Sequence, residues 1–517
     1  MPRQNKQELQ AQNEKIAASL KVLHDLQNKD GSTVFQSSQF SRVHRDRLLK
    51  HGFLTEVIRG WLILSNPNAL RGDSTTWYAS FWTFVRSYLG KRFDGDYCLS
   101  SEASILRHTG AMRIPKQVTV ITKKMSGQVV NLPHGTTLLL YTDINNFPEQ
   151  HVQIDGIWCM ELEEALCRVS PSYFEEYPMD AEIALRSLKN PSGLLRYLLE
   201  GKHSAIAGRL VGAYTFLGET QIAHTIEASM TAADYPPRIV NPFSTPKPTL
   251  GKGFRFVSPY CARIESLWGQ MREDIIPLFP VNSGFVKDPE EYLQRVEDGY
   301  VNDAYNSLSI EGYRVTPDLI EKIQNGNWNP DQDSADVAQK DAMAAKGYHV
   351  AFQAVKLSIG TILRGETAGD VVSRDHSQWY LEMFSPMVQA GLLQRYQLSG
   401  YRNHPVFIRG SMYVPPPSSA LVDCMETYFR LLREEVHPLV RAILGHFIFV
   451  YIHPYSDGNG RIGRFIMNCM FASGGFDWCV ISMSQRDRYM AALESASYGG
   501  EIRDFALFVR EVSGVGG

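Results

Sequence analysis

The chain has 517 residues, 44% of them hydrophobic and 21% charged, with 52 Lys and Arg against 55 Asp and Glu. At about 150 residues per domain this length makes about three domains, and the composition excludes a mainly disordered or coiled-coil chain. A net charge of -3 excludes a protein that binds nucleic acid through its overall charge, though not one with a basic part. No apolar run approaches the ~18 residues that span a bilayer. The segment Met1 to Lys6 leads into no apolar stretch of a secretion signal, so a cytoplasmic protein without a membrane partner is expected. The seven cysteines (98, 159, 167, 261, 424, 469 and 479) are scattered, odd in number and form no C-x-x-C, as reduced thiols would be.

In chain order, residues 5–27 read as a helix and Ser41 to Lys50 as a second, stopped by Gly52. Phe53 to Leu64 reads as two short strands turning at Arg59-Gly60. Residues 1–65 carry ten Lys and Arg against six Asp and Glu, a net +4. Helices followed by a hairpin predict a winged-helix-like domain over 1–65, a fold that lays a basic helix in the major groove of DNA. Arg42, Arg45, Arg47 and Lys50 are its groove-facing candidates; the plainer reading is a solvated face used for protein contacts. The turn-rich NPNALRGDS, Asn66 to Ser74, marks a boundary. Residues 75–233 read as an α/β region, with strands at Gln117–Thr122 and Thr136–Tyr141, followed by helices from 178 onward. Prolines 236, 237, 242, 246 and 248 prevent both helix and central strand, so 234–255 is expected to be an extended linker. Residues 260–517 read as mainly helical, with a strand-like stretch from Val406 to Tyr413 before Pro415, Pro416 and Pro417. The first half is similar to abortive-infection antitoxin-like regulators, which join a winged helix to an α/β domain. RDRLLKHGFLTEVIRGWLIL, LSSEASILRHTGAMRIPKQVTVIT and GRLVGAYTFLG carry that resemblance.

The chemistry concentrates in HPYSDGNGRIGR, His453 to Arg464. Leu439 to Ile452 is an apolar run of helical length, and Pro454 disfavours helix at His453. Asp457-Gly458-Asn459-Gly460 is a tight loop, and Arg461 to Phe471 is apolar again at helical spacing. The segment is therefore helix, loop, helix. Unpaired N–H groups and about half a positive charge stand where the second helix begins, and a Gly-rich turn before them makes an anion nest. Arg461 and Arg464, three apart, share a helical face and suit bidentate phosphate contact. Asp457 places a carboxylate beside that cradle, which is how Mg²⁺ is held next to phosphates. His453 faces the same loop with an ordinary pKa of ~6.5, suited to proton abstraction. Together these residues suit attack by a hydroxyl on a phosphorus of a bound nucleotide. Taken singly, each would be an ordinary capping or surface residue.

HPYSDGNGRIGR resembles the Fic-family motif H-P-F-x-D/E-G-N-G-R-x-x-R at every defined position except Tyr455, which stands for Phe. YRNHPVFIRG (Tyr401 to Gly410), the prolines after it and QRDRYMAALESAS (Gln485 to Ser497) extend the resemblance, which departs at Ser497, where the family often has Asn. It implies a multidomain, mainly α protein: an all-α Fic core over 260–517 with a β-hairpin flap, behind an N-terminal winged-helix plus α/β region. It also implies transfer of AMP from ATP to a Ser, Thr or Tyr hydroxyl of a target protein. His453 would be the catalytic base and Asp457 the Mg²⁺ ligand. Gly458, Asn459, Gly460, Arg461 and Arg464 would hold the phosphates, and Tyr489 would line the nucleotide pocket. Val406, Phe407, Ile408 and Arg409 would form the flap that aligns the target by strand pairing.

NSLSIEG, Asn306 to Gly312, puts Ser307 and Glu311 four apart at a helix end that Gly312 closes. By itself this is an ordinary helix end. Beside a Fic motif it matches the family's inhibitory S/T-x-x-x-E-G/N pattern, near 303–312. Glu311 would pair with Arg464 and take away the partner of the γ-phosphate; the same Glu could instead orient a water that removes AMP from a modified target. The expected protein is an autoinhibited adenylyltransferase. The competing expectation is a DNA-binding regulator or antitoxin-like factor using residues 42–50, its Fic part a sensor or self-modifier. A homo-oligomer is left open. Other signals fall away: His44-Arg45-Asp46 lacks the Asn of a kinase loop, and no Walker A or G-x-G-x-x-G occurs. His446, seven before His453, reads as a packed histidine rather than a metal ligand.

Overall fold

The computed structural model describes residues 2–30, 32–67, 74–124, 127–245, 247–251, 254–279, 288–328, 336–515. Most of the expected boundary at Asn66 to Ser74, and residues 246, 252 and 253 of the Pro-rich stretch, lie outside them. The chain forms two compact units, Met1–Pro248 with Phe407–Val414, and Thr249–Val406 with Pro415–Gly517.

The first unit begins with helix Pro2–Asp30 and helix Arg42–Lys50, whose N-cap Ser41 accepts from the His44 N–H. Strands Leu54–Ile58 and Trp61–Leu64 form the expected hairpin, turning at Arg59-Gly60 with Gly60 at φ 87°. A strand that the sequence reading missed, Val34–Gln36, adds to the other side of Trp61–Leu64. It is only three residues long, too short for an alternating pattern to register. Beyond it, Gln117–Thr122 runs parallel to Thr137–Thr142, with Tyr97–Leu99 and Gln128–Asn131 antiparallel on the flanks. Alternate residues of the two central strands (Val118, Val120, Leu138, Leu140) are fully buried against helix Thr75–Phe93.

Among its described residues the Pro-rich stretch forms neither helix nor strand, and it is not free. It packs on helix Ser204–Phe216, and a Cβ on Gly208 or Gly212 would come within 1.9 Å of Arg238 O or 2.1 Å of Val240 O. Two glycines on one helical face make the groove, and Val240 donates its N–H to Gly208 O. Residues 407–414 also belong to this unit: Val414 and Ile114 donate to Met112 O and Met412 O, and Gly410 N–H reaches Thr75 Oγ1. The expected β-hairpin flap is corrected here. Residues 406–408 form no regular structure and join no strand ladder among the described residues, and Tyr413 makes only an isolated bridge to Arg113. The donors of this stretch are used elsewhere: Ser411 N–H on Ile408 O, Tyr413 N–H on Ser411 Oγ and Val414 N–H on Met112 O.

The second unit is helical, and none of its described residues forms a strand ladder. Its centre is the pair Pro438–Ile452 and Asn459–Ser473. The first is buried on nearly every side, which fits a helix without a polar face. Asp336–Leu363, Ala368–Gln389 and Leu421–Glu434 surround it, and Tyr300–Ile310 ends at Glu311. Among the described residues no helix is long and apolar enough to cross a membrane, and the seven cysteines are buried and unbridged.

Candidate functional site

Pro454 stops the Pro438–Ile452 helix, and His453 takes the left-handed conformation as its C-cap, φ 52° and ψ 57°. For a residue with a Cβ this costs about 1–2 kcal/mol, so the surroundings must impose it. His453 N–H still reaches Phe449 O at 3.0 Å. Its Nδ1 lies 3.1 Å from Val450 O. A carbonyl only accepts, so Nδ1 carries the hydrogen and Nε2 keeps the lone pair. Burial pushes the imidazole pKa down to about 4, so the ring is neutral at pH 7.

The loop is tied by Asn459, 2% exposed, whose Oδ1 accepts from Tyr455 N–H at 2.9 Å and whose Nδ2 donates to Tyr455 O at 2.8 Å. The Asn459 side chain is thus spent on the loop itself, where the sequence reading put it on phosphate. Tyr455 stacks on Tyr380, centroids 3.9 Å apart. Gly458 caps the second helix at φ 79°, and a Cβ there would lie 2.9 Å from Phe384. Both its conformation and the space around it require glycine.

At the start of that helix a Cβ on Gly460 would meet Glu311 Oε1 at 2.4 Å. The Glu311 carboxylate therefore lies against the first turn of that helix. It accepts from Arg464 Nη2 at 2.8 Å. Burial opposes its charge, but Arg464 and then Arg461 outweigh that and hold the carboxyl below the usual range. Ser307 fixes Arg464 from the same helix: its Oγ accepts from Nε at 3.0 Å and its carbonyl from Nη2 at 3.1 Å. Arg464 Nη1 is buried with no hydrogen-bond partner. Arg461, fully buried, lies between Tyr313 and Phe384, 5.2 and 5.1 Å from the ring centroids. It reaches Asp457 at 3.4 Å with Nη2, while Nε and Nη1 have no partner. Two buried cations with orphaned N–H groups are costly to keep unless an anion uses them. The Asp457 side chain is 63% exposed, and its Oδ1 also accepts from Gly458 N–H at 2.6 Å. A cleft of about 490 Å³ opens beside it, lined by Tyr313, Tyr380, Phe384, Tyr401 and Arg402 among others.

Helix Tyr300–Ile310 is fastened to the segment after Phe476 at three points. Trp478 Nε1 donates to Asp303, Met483 N–H to Asn306 Oδ1, and Arg486 Nε to Ile310 O. Gly312 follows at φ 89°. Tyr489, expected in a nucleotide pocket, is instead 1% exposed. Its hydroxyl is 2.8 Å from His446 Nε2, and its ring packs with Phe505 and Phe508. That makes His446 a packed core histidine, and no cluster of three metal-ligating side chains occurs among the described residues.

The basic candidates of the first unit are not gathered into one face. Arg47 donates from Nη1 to Lys15 O and Ser19 Oγ, which ties the second helix to the first. Arg45 pairs with Asp46 at 2.9 Å and Arg42 with the same carboxylate at 3.6 Å. Lys50 is exposed.

The residue that sequence reasoning missed is Arg402, 5% exposed. Its Nε donates to His453 O at 2.8 Å, its Nη2 to Pro416 O at 2.6 Å, and its backbone N–H to Pro454 O at 2.9 Å. Its only signal was its place in YRNHPVFIRG.

Residues 380–471 match the Fic/DOC family. A protein adenylyltransferase Fic of Drosophila yakuba is 35% identical over 115 residues, 22% of this chain and 23% of that protein. One of Nematostella vectensis is 38% identical over 113 residues, 21% of this chain and 26% of that protein. The chain thus spans about a quarter of the length of these relatives. Among solved structures, Fic-1 (residues 134–508) of C. elegans aligns with 66% of this chain and 96% of its own, at 16% identity and a TM-score of 0.35. A Fic domain containing signaling protein of Bacteroides thetaiotaomicron aligns with 50% of this chain and 93% of its own, at 19% identity and a TM-score of 0.34.

Proposed function

We propose, for a chain that carries a Fic domain across residues 380–471, that it transfers AMP from ATP to a Ser, Thr or Tyr hydroxyl of a target protein and is held in check by its own Glu311. The observation that supports this reading is the Glu311 carboxylate against Gly460, paired with Arg464, beside buried Arg461 and Arg464 N–H groups that have no partner. The carboxylate oxygens stand in for phosphate oxygens. With Glu311 withdrawn, the N–H groups of the helix start and the two guanidinium groups take the polyphosphate.

His453 Nε2, unprotonated at neutral pH, accepts the proton of the acceptor hydroxyl as its oxygen attacks the α-phosphorus. The bond from that phosphorus to the bridging oxygen breaks, and pyrophosphate leaves with the electron pair. Arg461, Arg464 and the helix start stabilise the charge on the departing oxygens. The imidazolium then gives its proton to water. The exposed Asp457 carboxylate, beside the cradle, fits Mg²⁺ as a ligand, and bound Mg²⁺ would neutralise phosphate charge there. Val406, Phe407, Ile408 and Arg409 are the residues that would align a target segment by strand pairing.

With Glu311 in place, ATP binds with its phosphates displaced, and a displacement of about 1 Å costs on the order of 100-fold in rate. Glu311→Gly is therefore expected to raise labelling from ATP radiolabelled at the α-phosphate by roughly that factor. Mass spectrometry of lysate proteins would read the added group and the acceptor residue. Labelling no stronger than that of the unsubstituted chain sinks the reading.

A further inference from the structure

We infer that Arg402 is a positioning residue for His453, holding the strained turn that aims the imidazole. The inference rests on His453 being the base of the proposed reaction.

Left-handed backbone at a non-glycine residue persists only where its neighbours over-determine it. Three consecutive carbonyls, those of Ile452, His453 and Pro454, point outward at the end of the Pro438–Ile452 helix, where the backbone acceptors lack intrahelical partners. Arg402 serves all three. Nε donates to His453 O at 2.8 Å, Nη2 lies 3.5 Å from Ile452 O, and the backbone N–H donates to Pro454 O at 2.9 Å. The far side of the fork is anchored by Pro416 O at 2.6 Å and His404 O at 3.1 Å. A planar fork with donors on several sides can do this; a lysine ammonium, one point on a flexible stem, cannot. A cation at a helix C-terminus also suits the dipole there.

The second effect is electrostatic. The charged groups facing the His453 ring are Arg402 from the segment before Pro405, Glu311 from the end of the Tyr300–Ile310 helix and Asp457 from the loop. The two carboxylates favour the imidazolium, and Arg402 opposes it. Burial is the largest influence, and Arg402 acts in the same direction.

The test compares Arg402→Met and Arg402→Lys in full-length Glu311→Gly chain, with two readouts. The first is kinetic: both variants are expected to lose roughly 10- to 100-fold in kcat with the KM for ATP within about twofold. The second does not depend on catalysis. Diethyl pyrocarbonate modifies only unprotonated imidazole, so modification of the His453 peptide, followed by mass spectrometry across pH, reads that ring's own titration. Its midpoint is expected to rise by about one pH unit in Arg402→Met and to stay in place in Arg402→Lys, which keeps the charge. An unmoved midpoint in Arg402→Met, or full kcat in Arg402→Lys, overturns the inference. Should Arg402→Met not fold, the kcat of Arg402→Lys decides. If Glu311→Gly shows no transfer at all, the proposed function fails, while the diethyl pyrocarbonate midpoint still judges Arg402.

Discussion

Two arginine-rich stretches can be compared, each within its own unit. Arg42, Arg45 and Arg47 lie on a nine-residue helix of the first unit; Arg461 and Arg464 lie on a buried helix of the second. In sequence both pairings of spacing and charge point to phosphate. In the first stretch the charge is already used: Asp46 takes Arg42 and Arg45, and the first helix takes Arg47. In the second, the charges are desolvated and keep unpartnered N–H groups even with Asp457 beside Arg461 and Glu311 on Arg464. The difference teaches that an arginine's burial and its unsatisfied donors, rather than the density of basic residues, mark a site built to receive an anion. Surface charge pairs contribute little and are readily exchanged; a buried cation without a partner is not tolerated for long.

The comparison breaks first at Gly460. A methyl group there would occupy the space of the Glu311 carboxylate, and so of any phosphate that replaces it. Adding Gly460→Ala to Glu311→Gly is expected to cut AMP transfer on the order of 100-fold, measured by initial rates with labelled ATP. Unchanged rates would mean that no anion sits at the helix start.

A smaller effect separates buried from exposed titration. His376, His446 and His453 are each pushed down to about 4 by burial, from an ordinary 6.5. The unfolded chain therefore binds more protons than the folded one below about pH 6.5, and stability is lost as the pH falls from there toward 4. Calorimetric unfolding midpoints should fall steadily between pH 7 and 5. A flat profile would contradict buried, neutral histidines.

The smallest effect sharpens the other side. Arg47→Ala should cost about 1 kcal/mol in urea unfolding, since it removes two hydrogen bonds between helices. Arg42→Ala should stay within about 0.5 kcal/mol. Equal costs would erase the distinction between a bracing arginine and a solvated one.

Much of the second unit was legible because its local rules agree. The apolar run before Pro454, the glycines at 458 and 460 and the return of apolar spacing after Arg461 can only make helix, loop, helix. The Ser307–Glu311 spacing likewise pointed to one face of a helix end. The hairpin was expected from the resemblance alone; here the N–H groups of Ser411, Tyr413 and Val414 go to Ile408 O, Ser411 Oγ and Met112 O instead of to a ladder within the segment. Tyr489 and Asn459 were given to a ligand on the resemblance alone. The structure spends the first on His446 and the second on Tyr455. Arg402 was passed over because the carbonyls of Ile452, His453 and Pro454 that it meets lie about fifty residues away in the chain.

By itself the sequence determined what is local: where helices stop, where glycine must take positive φ, and which side chains can carry or accept a proton. Tertiary packing alone decided which of those groups remain unsatisfied. It brought Glu311 from 153 positions away onto Arg464 and buried the His453 ring until it stayed neutral. Hydrogen-bond satisfaction and desolvation are sums over neighbours in space, and the order of residues along a chain does not contain them.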